Sequence, residues 1–99
     1  MTRDEILALR GRDLWSTTAL TLFNDSLWFG IAVANKAFVG DSVEREVGRR
    51  GLQLKYVHAL ARVVGCNMVR EKWTMEDIWM IRRANPEQIC KAALLALTP

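Results

Sequence analysis

Four times in 99 residues the chain repeats one interval: a small oxygen-bearing side chain, then an Asp, Glu or Gln three positions later. The pairs are Thr2/Glu5, Asp41/Glu44, Thr74/Asp77 and Asn85/Gln88. In such a capping box the first side chain accepts from the third residue's amide, and the later side chain reaches back to the first residue's amide. Each box satisfies amides that a helix start leaves without intrahelical partners. Pro86 follows Asn85 directly, at the first helical position, where a missing N–H costs nothing. These starts predict a mainly α chain: a single globular domain over residues 1–99 with about five or six short helices.

Apolar spacing between the starts supports that reading. Ile6, Leu7 and Leu9 follow the first box, and Leu14, Trp15, Thr18, Leu22 and Phe23 fall near helical intervals. "NDS" at Asn24–Ser26 marks a turn and a new cap. The next stretch, "LWFGIAVANKAFV", is apolar on nearly every side and suits a buried helix or a buried strand. Gly40 then reads as a stop, with Asp41 capping a new helix. Tyr56, Val57, Leu60, Val63 and Val64 make another helical face, ended by Gly65. The residues before it also alternate apolar and polar, and "IWMIRRA" is short enough for either form. The alternative is therefore α+β, with a small sheet between residues 52 and 84. In the last segment only Lys91 is polar from Ile89 to Leu97, so this helix is expected to be a central post, with a dimer interface as the other use for so wide an apolar band.

Composition excludes several classes. Apolar residues make up 51% and charged residues 25%, which suits a chain that builds its own core without disulfides or metals. The weakly charged stretch from Leu14 to Val39 is broken by "NDS" and by Asn35–Lys36, so no membrane span is expected. The charged start "MTRDEILALRGRD" does not resemble a secretion signal, and the expected location is cytoplasmic. Cys66 and Cys90 lack ligand spacing, so no metal and no cofactor is expected, and both thiols should be free and buried. His58 is the single histidine and has no nucleophile or carboxylate motif around it. Asp4–Glu5 and Glu76–Asp77 are explained as first-turn acids favoured by the helix dipole. The expectation is a protein with no catalytic residue: not an enzyme.

Charge is uneven. Residues 1–40 balance, whereas Arg45, Arg49, Arg50, Lys55, Arg62, Arg70, Lys72, Arg82 and Arg83 face only four acids over the same span. Trp73 and Trp79 lie inside this basic half, and tryptophan beside arginine is the composition of protein-interaction hot spots. Arg49, Arg50, Arg70, Lys72, Trp73, Trp79, Arg82 and Arg83 are the partner-binding candidates. Ala61 and Gly65, four apart, offer the small residue and glycine of a helix-turn-helix. The position that should seal the second helix is Glu71, and only a shifted register through Val69 and Trp73 turns Arg70 and Lys72 towards phosphate.

"MTRDEILALRGRDL" at the start, "NPEQICKAALLAL" at the end and "KYVHALARVVG" between them resemble small tailed-phage proteins of the ABA-sandwich, or NinX-like, group. About a third of the chain carries the resemblance, and "STTALTLFNDSLWFGIAVANKAFV" lies outside it. The resemblance implies a helix–sheet–helix sandwich and a phage accessory protein in a bacterial host cell. Its expected action is stoichiometric binding that inhibits or modulates a host protein complex, for example a defence system. Two other expectations stand beside it: a small regulator binding nucleic acid through the basic half, and a self-associating assembly factor.

Overall fold

The computed structural model describes residues 1–66 and 74–98. Among them are seven α-helices and no strand: α1 (Arg3–Ala8), α2 (Gly11–Thr18), α3 (Ser26–Ala34), α4 (Lys36–Arg49), α5 (Gln53–Val63), α6 (Met75–Arg82) and α7 (Pro86–Leu97). The mainly helical reading holds, and segments 52–58 and 78–84, left open between helix and strand, are helical except at their ends. The sheet implied by the phage-protein resemblance has no strand among the described residues.

Three of the four capping boxes form as written. Thr2 Oγ1 accepts from the Glu5 amide at 3.2 Å while Glu5 Oε1 accepts from the Thr2 amide at 3.0 Å. Thr74 with Asp77 and Asn85 with Gln88 repeat this exchange. The fourth does not form. Asn35 caps α4, accepting from the Ala37 amide at 3.1 Å, and the helix runs through Gly40 and Asp41 without a break. Gly40 is not a stop but a point of close approach: a Cβ there would meet Ile89 Cδ1 of α7 at 3.3 Å. Asp41 is free of capping duty and pairs with Arg45 one turn on, at 2.9 Å. Asn35 also divides the long apolar stretch, so it becomes two helices rather than one element.

The α2 helix continues into a π-helical turn, Ala19–Phe23, which ends at Asn24 with φ +50°. Thr18, fully buried, donates from Oγ1 to the Leu14 carbonyl at 2.8 Å. Such back-bonding loosens the helical ladder, and the wider turn follows directly. At the far end of α5, Gly65 takes φ +91° and the Cys66 amide donates to the Ala61 carbonyl at 2.8 Å. That is the Schellman ending expected of a glycine there.

The last helix is the post. It packs against α5, α4, α2, α1 and the π-helical turn, and Cys90, Ala92, Ala93, Leu94 and Ala96 are buried. Its small residues let neighbours approach on several sides. From α4, Val39, Val43 and Val47 present a buried stripe at four-residue spacing. Even its polar residues are engaged. Lys91 Nζ donates to the Leu7 carbonyl at the end of α1 (3.0 Å), and Glu87 Oε1 accepts from the Gly11 amide at the start of α2 (3.3 Å). The chain's own helices thus cover most of the apolar band, with Ile89, Leu95 and Leu97 half-buried.

Candidate functional site

The basic residues singled out in the sequence separate into two groups. Arg49 and Arg50 both pair with Glu46, Arg49 from a largely exposed position. Arg49 Nε donates to Glu46 Oε1 at 2.9 Å, and Arg50 Nε donates to Glu46 Oε2 at 2.8 Å. Hydrogen bonds from Arg49 and then Arg50 hold the Glu46 carboxyl down to about 2. Arg50 Nη2 also donates to the Leu22 carbonyl at 2.6 Å, where the π-helical turn leaves an acceptor at its end.

Trp79 and Arg82 on α6 and Arg83 at its C-cap form the second group. Met75, Ile78, Trp79 and Arg82 recur at helical spacing along one face, and Trp79 is 60% exposed with Met75 at 81% and Ile78 at 40%. The Arg83 guanidinium lies over the Trp79 ring, 5.4 Å from its centroid. Another side of α6 secures the helix: Ile81 packs on the core, followed by Ala84 just beyond the helix, and Asp77 is buried in its capping box. The helix therefore combines a firm base with an outward apolar and cationic ridge. Arg70, Lys72 and Trp73, and with them the second helix of a helix-turn-helix at Ala61 and Gly65, lie outside the described residues.

A third cluster was not recognised in the sequence. Arg3, Lys55, His58 and Arg62 line a groove of about 340 Å³ whose apolar walls are Leu54, Ala59, Leu95 and Ala96. Lys55, His58 and Arg62 recur at i, i+3 and i+7, so a search for polar stripes on α5 would have found three of the four. Arg3 arrives from the other end of the chain and only the fold adds it. His58 is exposed on this stripe rather than lodged in the core.

The remaining reactive groups are turned away from nucleophilic chemistry. Burial pushes the Cys90 thiol up to about 12. Cys66 is half-buried rather than buried, and burial followed by Asp77 raises its thiol too; its Sγ lies 3.7 Å from the Asp77 carbonyl oxygen. The Tyr56 hydroxyl, raised chiefly by burial, donates to Glu44 Oε2 at 2.9 Å. Among the described residues no three His, Cys, Asp or Glu side chains gather as a metal site, and no helix is long and apolar enough to cross a membrane. No family model, no curated protein and no solved structure matches this chain.

Proposed function

We propose that this chain is a non-catalytic binding protein that docks α6 into an acidic, apolar-lined groove on a partner protein. The observation that carries the proposal is Trp79, a large aromatic left mostly exposed beside Met75 and Ile78 and stacked under Arg83. Leaving this surface in water forgoes burial worth about 25 cal/mol per Å² of apolar area, and a partner that covers it recovers that term. Arg82 and Arg83 at the ridge's C-terminal end favour carboxylates on the partner, giving orientation and faster encounter. The resemblance at the two ends of the chain favours a bacterial host complex, such as a defence system, as the partner, with inhibition or modulation as the outcome.

The test places a photo-crosslinking amino acid at Met75 and, as a control, at Ser26, in a bacterial lysate. A discrete protein adduct from position 75, lost in Trp79→Ala and Arg83→Ala and missing at position 26, is expected. The purified partner should then bind Trp79→Ala at least about tenfold more weakly. Because Trp79 is mostly exposed, that variant should keep its folding stability within about 0.5 kcal/mol. Adducts to nucleic acid or to a second copy of the chain, or equal labelling from both positions, would reject the proposal.

A further inference from the structure

We infer that the groove between α5, the start of α1 and the end of α7 binds a small organic phosphate carrying two or more negative charges, of the size of a nucleoside diphosphate. Three observations converge on this. Arg3, Lys55 and Arg62 bring three permanent cations to one groove, and no acidic side chain lines it. None of the three is ion-paired among the described residues, in contrast to Arg45, Arg49 and Arg50, which are all paired on α4. Like charges held together repel one another, so a fold that gathers them gains when an anion arrives.

Geometry narrows the ligand. At about 1.5 Å per residue, Lys55 and Arg62 stand roughly 10 Å apart along α5, and Arg3 approaches from α1. Long flexible arms at that separation suit two linked phosphates better than one compact anion. Between them lies an apolar surface: Leu54, 73% exposed, with Ala59, Leu95 and Ala96. The alanines leave room for the body of a ligand, which would cover Leu54. A space of about 340 Å³ sits at the small end of the range for small-molecule sites, and a groove of that size takes a mononucleotide rather than a duplex. The end of α7 contributes a negative dipole of only about half a charge, too little to balance three cations.

Titration calorimetry at low ionic strength tests the assignment with ADP, inorganic pyrophosphate and adenosine. ADP is expected to bind, pyrophosphate more weakly, and adenosine not measurably. Added sodium chloride should weaken ADP. The Lys55→Gln/Arg62→Gln double variant should lose at least tenfold, and Arg3→Gln, at an exposed position, severalfold with an unchanged circular dichroism spectrum. On ADP addition the amide resonances of Ala59 and Ala96 should shift. Trp79→Ala and Arg83→Ala should leave ADP binding unchanged, so this site and the α6 ridge stand or fall separately. Absence of ADP and pyrophosphate binding would overturn the assignment, as would equal losses in Arg82→Gln/Arg83→Gln. Tighter binding of a single-stranded oligonucleotide than of ADP would replace the small molecule by a nucleic-acid strand.

Discussion

Helices α3 and α7 look alike as sequence, each a run of apolar residues with few or no charges, yet they meet opposite fates. From α7 five residues are buried, and neighbours close on it from several sides. From α3 only Trp28 and Ala32 are buried, while Leu27 is 74% exposed, Ile31 45% and Val33 40%. The difference lies in side-chain size and in place. The alanines of α7 bring other backbones close enough to surround it. On α3 one large anchor suffices: Trp28 stacks on Phe23 at 4.9 Å between ring centroids and donates from Nε1 to Ser42 Oγ at 2.9 Å. With Trp28 and Ala32 buried and Phe29 half-buried, α3 packs on α2, the π-helical turn and α4 and leaves its other face in water. Hydropathy sets how much a segment gains from burial; the number of neighbours sets how much of that gain is realised.

Paired substitutions on these two helices give the sharpest test. Leu94→Ala on α7 should cost about 3 kcal/mol, since it truncates a buried side chain in the core, whereas Leu27→Ala on α3 should stay within about 0.5 kcal/mol. Urea unfolding of both variants measures the gap, and equal costs would end the distinction. Gly40→Leu comes next, at about 1–3 kcal/mol of destabilisation from overpacking against Ile89. Cys90→Ser places a hydroxyl in a fully buried position beside the core and should cost about 1–2 kcal/mol, without altering binding at either surface. Thiol labelling of the native protein should accordingly reach Cys66 and spare Cys90 until the chain unfolds. The smallest effect is a gain: Gly30 of α3 has open space where a Cβ would stand, so Gly30→Ala should stabilise by about 0.5–1 kcal/mol. A loss there, or no loss at Gly40, would mean that the two glycines had been assigned to the wrong roles.

The same contrast explains how much of the candidate sites was legible. Trp79, Arg82 and Arg83 lie on one short helix and its C-cap, so local spacing describes the ridge they form. At Arg49 and Arg50 a charge count shows two cations but not that Glu46 pairs with both. Lys55, His58 and Arg62 were visible as separate basic residues, but the groove exists only once Arg3 and the end of α7 are brought against α5. Asp41 and Glu44 matched a capping box at the correct interval and still failed, because Asn35 had started the helix earlier. A cap competes with its upstream neighbours, and the contact of Gly40 with Ile89 favours the continuous helix.

What the sequence determined by itself is every feature whose partners lie within a few residues. The boxes at Thr2, Thr74 and Asn85, the start at Asp25, the ending at Gly65 and the periodic face of α5 are all of that kind, because side-chain oxygens and backbone amides meet there without help from the rest of the chain. The tertiary structure alone decided which apolar helix became the post and which cations remained without an ion pair among the described residues. Those outcomes rest on contacts such as Lys91 with Leu7, Glu87 with Gly11 and Arg50 with Leu22, separated by 84, 76 and 28 residues. Over such distances no local interval specifies a partner; packing of the whole domain does.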